Sequence, residues 1–194
     1  MAHITNIGAS KFTTLDYVPN TANDSADTAT ALHGLFCTSV PSTGVDETPE
    51  SAVVHVGNVR EFPSMGTPAN IVNVPVYGQA TSSQIAGQSD APSLEFSLNY
   101  VPNEHGDLEQ LRKTAARLAF RVRITDADLT TNGDGIITAD DADLFADFIF
   151  FGTIASFEIQ PGLTDAMQAT MTLTIEGDFA GPFSLVSGAY SLPA

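Results

Sequence analysis

The sequence lacks the residues on which several classes of protein depend. Cys37 is the only cysteine, so neither an internal disulfide nor a cysteine-based metal cluster can form. Tryptophan is absent, and seven basic residues stand against 23 acidic ones, a formal net charge of −16. Such a surface repels the phosphates of nucleic acid and the headgroups of an anionic membrane. Tight binding to nucleic acid or to an anionic membrane is therefore not expected. The acidic residues could also serve only to keep the protein soluble.

Patterns of membrane insertion and of catalysis are missing as well. No apolar run approaches the roughly 18 residues of a membrane helix, and the start, MAHITNIGAS, lacks the pattern of a signal peptide. The four histidines are scattered, and the sequence contains no nucleophile elbow, phosphate loop or dinucleotide fingerprint. We therefore predict a protein that is not an enzyme, requires no cofactor and has no membrane partner.

The clearest periodicity lies between Ser93 and Arg123. Residues 93–101 alternate between apolar and polar positions, as in a half-buried strand. Residues 107–119 have helical apolar spacing, with Asp107 as the expected N-cap and Leu108, Leu111, Ala115 and Leu118 as the apolar stripe. A second strand follows, and its alternation predicts that Arg121 and Arg123 point outward.

This segment also holds five of the seven basic residues. In a chain with so much acid, we predict that they pair with acidic side chains of neighbouring subunits. Charge reversal at Arg117 or Arg121 should then impair assembly more than folding. The predicted inter-subunit residues are Arg112, Lys113, Arg117, Arg121 and Arg123.

Strand patterns dominate elsewhere, over 52–62, 70–78, 148–160 and 167–176, with Gly152 as an expected bulge. These patterns predict a mainly β fold with one flanking helix and extended loops or arms. The expected organisation is an N-terminal arm with loops and short strands (1–51), a β domain (52–178) that includes the helix 107–119 and an acidic insertion (126–147), and a C-terminal tail (179–194).

The acidic insertion contains the sharpest motif, TTNGDGIITADD. Its spacing resembles the calcium loop of dockerins, which follows the EF-hand pattern of oxygen ligands with a glycine at the sixth position. Thr130 replaces the usual Asp at the first position, and an acidic hairpin tip with an Asn-Gly-Asp-Gly turn is the alternative interpretation. The predicted calcium ligands are Asn132, Asp134, the carbonyl of Ile136 and Asp141.

From about Val56 to Gly177 the order of elements resembles the major tail tube proteins of long-tailed bacteriophages. The matching segments are VGNVREF, NIVNVPVYGQATSSQIAGQSD, LEFSLNYVPN, DLEQLRKTA, AFRVRI, FFGTIASFEI and MTLTIEG. The acidic insertion and the long N-terminal region match no pattern of that family. The type VI secretion tube and contractile-tail tubes share its fold, so the resemblance does not indicate one type of tail.

The resemblance implies a barrel-like or sandwich tail tube fold in a structural virion protein of the phage tail, made in the host cytoplasm. Homohexameric rings would stack into the conduit for DNA ejection. The implied partners are tape measure and tail terminator or baseplate proteins, with DNA passing through unbound. A lumen should be polar and not basic; the predicted lumen-facing residues are Glu95, Ser97, Asn99, Gln168, Thr170, Thr172 and Thr174.

A second hypothesis comes from the calcium-like loop: a calcium-binding, dockerin-like adhesion or carbohydrate-binding β module. That class predicts a secretion signal, paired calcium loops and exposed aromatic residues on a binding face. This chain has one such loop and no tryptophan. The tail tube interpretation is therefore preferred.

Overall fold

The computed structural model describes residues 13–19, 31–32, 34–39, 48–49, 52–66, 71–75, 77–78, 83–87, 93–125, 145–162, 166–186 and 189–191. Within them lie twelve strands and the helix α1 (Pro102–Thr114). The strands are β1 (Thr14–Val18), β2 (Cys37–Ser39), β3 (Thr48–Pro49), β4 (Val54–His55), β5 (Val59–Glu61), β6 (Ile71–Val74), β7 (Ser83–Ala86), β8 (Ser93–Asn99), β9 (Leu118–Thr125), β10 (Phe145–Gln160), β11 (Gln168–Val186) and β12 (Ala189–Ser191).

One antiparallel sheet organises the chain, in the order β4-β1-β9-β10-β11-β8-β5, with β12 paired to the end of β11. The predicted mainly β fold with a flanking helix is confirmed, and the sheet is a curled, open half-barrel. Strands β2–β3 and β6–β7 form two separate two-stranded sheets. Strand β1 belongs to the predicted N-terminal arm, yet it lies inside the main sheet.

The two edges of the main sheet are formed by consecutive pieces of chain. Strands β4 and β5 are joined by Val56, Gly57 and Asn58 alone. The Val56 amide donates to the Leu15 carbonyl at 2.8 Å, and the Asn99 amide donates to the Asn58 carbonyl at 2.9 Å. One short segment therefore completes both edges, which requires the sheet to curl until they approach each other. We call residues 56–58 the crossing.

The core lies on the side of the sheet that α1 covers. Alternate residues of β8 point into it, as their pattern predicts, and Leu94, Phe96 and Leu98 are at most 1% exposed. Residues of β1, β9, β10, β11 and the helix complete one apolar cluster. Its fully buried members (0% exposed) beyond β8 are Leu15, Leu118, Phe120, Met171 and Leu173.

The predicted helix is present, but it begins at Pro102, so the predicted bounds 107–119 and the predicted N-cap Asp107 are wrong. Val101 is the N-cap and Pro102 occupies the first turn, where its missing N–H and its fixed φ cost nothing. The helix ends at Thr114 because Ala115 adopts a left-handed conformation with φ 49°. Leu118, predicted on the helical stripe, is instead the first residue of β9.

Strands β10 and β11 are long, 16 and 19 residues. Their register shifts at three places between Asp147 and Ser156, and such irregularities bend a strand and increase its twist. Strand β11 continues beyond the predicted domain boundary at 178. Phe179 packs against Phe150 with ring centroids 5.4 Å apart, so the predicted C-terminal tail begins inside the fold.

Candidate functional site

The seven predicted lumen-facing residues share one face of two neighbouring strands. In the register of β8 with β11, Asn99 lies opposite Gln168, Ser97 opposite Thr170 and Glu95 opposite Thr172. Directly opposed residues of an antiparallel pair point to the same side. That side is the reverse of the one that carries Phe96 and Met171, both fully buried. The structure thus brings all seven residues together.

Strand β10 extends this surface. Thr153 and Thr174 share a hydroxyl hydrogen bond of 2.7 Å, and Ser156 donates to Thr172 at 3.0 Å. Glu158 lies opposite Thr170. We define the polar face as Glu95, Ser97, Asn99, Thr153, Ser156, Glu158, Gln168, Thr170, Thr172 and Thr174. It is a sheet of hydroxyl and amide groups with two carboxylates, and β8, β10 and β11 contain no lysine or arginine.

The prediction that Arg121 and Arg123 point outward is wrong, because both are buried (5% and 0% exposed). Arg123 binds Asp147 through Nε to Oδ1 at 2.7 Å and Nη2 to Oδ2 at 2.6 Å. Arg121 donates to Asp16 from Nε at 3.1 Å and from Nη2 at 2.7 Å. Their charges are used inside the subunit, so neither fits the predicted inter-subunit role.

These arginines are buried because β9 is covered on both faces. One face meets the apolar core, and on the other face Phe36 and Cys37 contact Arg121. Phe36 is 0% exposed with its ring 5.0 Å from the Arg121 guanidinium, and Arg121 Nη1 donates to Cys37 Sγ at 3.4 Å. Cys37 is buried, as free cysteines usually are. The sequence analysis did not identify Asp16 and Asp147. Each is a single acidic residue within an apolar strand, and this pattern could have indicated a buried ion pair.

The buried charges shift one another's pKa values. Burial raises the pKa of Asp16, but the Arg121 charge and the hydrogen bond from His55 outweigh it and lower the pKa to about 2. His55 Nδ1 lies 2.9 Å from Asp16 Oδ1, and this hydrogen bond raises the pKa of His55 against the opposing effect of burial. Asp16 therefore stays ionised between Arg121 and His55 down to strongly acidic pH.

The other three predicted inter-subunit residues lie nearer the surface. Lys113 pairs with Glu109 at 3.0 Å, the expected helical i,i+4 pair. Arg117 pairs with Glu176 and lies 4.4 Å over the ring of Phe151, at the border of the polar face. Arg112 Nε is a buried donor atom for which no hydrogen-bond partner exists among the described residues. An inter-subunit role for these three stays a prediction.

A second surface is apolar. Strand β6, within the predicted strand 70–78, pairs with β7, which lies outside every predicted strand. Ile71 and Ile85 are 57% and 56% exposed, and Tyr77 between the strands is fully exposed. Ile71 lies opposite Ala86, and Ile85 opposite Val72, so the two isoleucines are on opposite faces. Residues 62–89 contain no charged side chain.

The predicted calcium ligands Asn132, Asp134, Ile136 and Asp141 lie outside the described residues. The flanking strands are described: Thr125 of β9 pairs with Phe145 of β10, so the insertion connects two adjacent antiparallel strands. Both the calcium loop and the acidic hairpin tip fit that position. Within the described ranges, no group of three or more His, Cys, Asp or Glu side chains is placed to hold a metal ion. Calcium binding stays a prediction.

Comparison with known proteins gives a fold relationship. No protein-family profile and no curated protein sequence matches the chain. A chain in the six-fold symmetrised cryo-EM structure of the anti-feeding prophage baseplate is similar in structure, with a TM-score of 0.51 and 9% identity. The match covers 93% of this chain and 96% of that one. This chain therefore shares its fold with a chain of that structure. No described helix has the length and apolarity to span a membrane.

Proposed function

We propose that this chain is a structural subunit of a phage tail or of a related phage-like injection particle, and that it assembles into hexameric rings that stack as a tube. The polar face is the observation that carries the proposal. It is contiguous over β8, β10 and β11, rich in hydroxyl groups and free of basic side chains. The similarity to a chain of a six-fold symmetrised baseplate supports a role in such a particle.

The polar face has the chemistry that a DNA conduit requires. Lysine and arginine on the wall would bind phosphates and retain the polymer, whereas Glu95 and Glu158 repel it. Threonine and serine hydroxyls keep the wall hydrated without adding charge. The cross-strand bonds of Thr153 with Thr174 and of Ser156 with Thr172 hold these hydroxyls flat against the sheet. We assign this face to the lumen, with no specific contact to the DNA.

The proposed partners follow from this role. Further copies of the chain form the ring and the tube. Tape measure and tail terminator or baseplate proteins meet the lumen and the ends of the tube. The assembled protein belongs to the virion or particle after synthesis in the host cytoplasm, and the role requires neither catalysis nor a cofactor.

Negative-stain electron microscopy of the purified full-length chain tests the proposal. We expect six-fold rings or hollow tubes at high protein concentration. A chain that stays strictly monomeric over the whole accessible concentration range would contradict it. Rings of another symmetry would contradict the hexamer while leaving a ring-forming structural role in place.

The β6–β7 hairpin supports contacts between copies. An isolated two-stranded hairpin is marginally stable in water, and no β6–β7 residue belongs to the described apolar core. The exposed isoleucines on both faces of the hairpin therefore indicate that another protein surface packs against each face. Every copy carries a charge of −16, so two copies repel each other least where their surfaces carry little acid. Residues 62–89, without any charge, meet that condition. We propose that a second copy of the chain covers the β6–β7 hairpin.

Replacing Ile71 and Ile85 together by threonine tests this contact. Threonine keeps the β-branched shape and strand propensity but removes apolar surface. We expect sedimentation velocity to show a smaller assembly, with an unchanged circular dichroism spectrum. Ile159→Thr is the matched control, because Ile159 is 38% exposed but lies on β10. Wild-type assembly by the double variant would rule out the hairpin as the contact.

A further inference from the structure

The crossing is held by the first turn of helix α1. His105 Nε2 lies 3.0 Å from the Gly57 carbonyl, and Asn58 Nδ2 donates to Glu104 Oε2 at 2.7 Å. A Cβ at Gly57 would lie at an ordinary van der Waals distance of 3.4 Å from Glu104 Oε2, so the Glu104 side chain lies directly beside the crossing. Asn58 adopts a left-handed φ of 58°, a conformation that asparagine tolerates. Two adjacent helical side chains thus fasten the segment that joins both sheet edges.

The hydrogen bonds of His105 specify one neutral tautomer. The ring is 1% exposed, and its Nδ1 lies 3.0 Å from the Val101 backbone nitrogen. A backbone amide only donates, so Nδ1 must accept and cannot carry a proton. The Gly57 carbonyl only accepts, so Nε2 must carry the proton and donate. Both ring nitrogens are therefore committed, one to the helix N-cap and one to the crossing.

A second proton on His105 would break this arrangement. The imidazolium has two donors and no acceptor, so the bond from the Val101 amide is lost and two donors face each other. The ring lies in the first turn of the helix. Around it, Tyr100 stacks on the ring at 5.9 Å and Glu104 is engaged with Asn58. Burial and the charge of Asp107, on the next turn, raise the pKa of Tyr17 of β1.

The other side of the crossing responds to protons in the opposite sense. His55, at the end of β4, is bonded to Asp16 of β1. Its pKa is raised in the folded chain, so this contribution to stability is complete below the ordinary histidine pKa and is lost as the pH rises through the raised value. Acid thus keeps β4 on β1. Because His55 is 57% exposed, solvent screens this pair and its contribution is modest.

We propose that the crossing is a proton-operated latch: acid releases it from helix α1, while the pair of His55 with Asp16 keeps it on β1. The edge at β5 then opens and the edge at β4 stays paired. Strand β5 is short, three residues, and its pairing with β8 has a register irregularity. Strand β5 therefore has few backbone hydrogen bonds to keep it paired once the contacts of the crossing with the helix are lost. An opened edge offers unpaired backbone groups to another strand.

Hydrogen exchange of the full-length chain, measured by mass spectrometry and corrected for intrinsic rates, tests the latch by comparing about pH 7.5 with about pH 5. Asp16, with a pKa of about 2, stays ionised throughout. We expect residues 56–61 and the first turn of α1 to exchange roughly tenfold faster in acid, as the loss of one buried hydrogen bond implies. Residues 118–125 of β9 should not change.

His105→Gln and His105→Asn supply the decisive comparison. The glutamine amide retains a donor toward Gly57, the asparagine oxygen retains an acceptor for Val101, and neither titrates. Either variant that folds should lose the acid-induced increase. His55→Gln should retain it. Equal protection of wild type at both pH values, or an unchanged acid response in the His105 variants, would overturn the latch.

Discussion

Replacing Arg123 by methionine will lower the free energy of unfolding by about 3–5 kcal/mol. Arg123 and Asp147 are both 0% exposed and share two short hydrogen bonds. Methionine fills a similar volume but removes the charge, so Asp147 keeps a buried carboxylate without its guanidinium. Desolvating that carboxylate is costly. Urea unfolding followed by circular dichroism measures the loss as a lower midpoint with little change of slope.

The double variant Arg123→Met with Asp147→Leu separates charge from packing. Removing both charges leaves neither member of the pair as a buried charge without its partner, so we expect most of the lost stability to return. Lys113→Met is the surface control, because the exposed pair of Lys113 with Glu109 contributes at most about 0.5 kcal/mol. A loss below about 1 kcal/mol for the single Arg123 variant would contradict a rigid buried pair.

The same reasoning changes the expectation for Arg121. Charge reversal to glutamate would place two carboxylates together, since Asp16 lies directly opposite Arg121 in the register of β1 with β9. That change should prevent folding, not only assembly. Arg117 differs, because it is over a third exposed and borders the polar face. Arg117→Glu remains the variant in which assembly can fail while the fold survives.

The alternation of apolar and polar residues correctly predicted which side chains of a strand share a face. The alternation in β8 and β11 identified both the core residues and the reverse face, because a strand places successive side chains on opposite sides. The seven lumen-facing predictions fall on one surface for this reason, although the sequence did not say that β8 and β11 are neighbours. Their pairing comes from the sheet order.

Long-range contacts account for the errors. Alternation placed Arg121 outside, but that side of β9 is covered by Phe36, 85 positions away in the chain, and paired with Asp16, 105 positions away. The apolar and polar alternation of a strand carries no information about contacts with residues so distant in the chain. The predicted helix start is wrong for another reason. Asp107 is a favourable N-cap residue, but the helix already begins at Pro102, where the His105 ring accepts a hydrogen bond from the Val101 amide.

Gly152→Ala should be the most disruptive small substitution in the sheet. A Cβ at Gly152 would lie 2.1 Å from the Thr174 carbonyl oxygen. That atom is backbone within the β10–β11 ladder, so it cannot swing aside as a side chain would. Relief requires the two longest strands to separate locally. We expect a loss of about 3 kcal/mol or more, at or above the upper end of ordinary overpacking.

Gly106→Ala is the matched control, because a Cβ at Gly106 meets nothing within 4 Å. Gly106 lies inside helix α1, where alanine should raise stability by about 1 kcal/mol. Thermal unfolding should therefore move in opposite directions for the two variants. A neutral Gly152→Ala would mean that the strands yield easily there. Strands that yielded there would not hold Thr153 against Thr174, and the polar face would lose the rigidity that its proposed role as a wall requires.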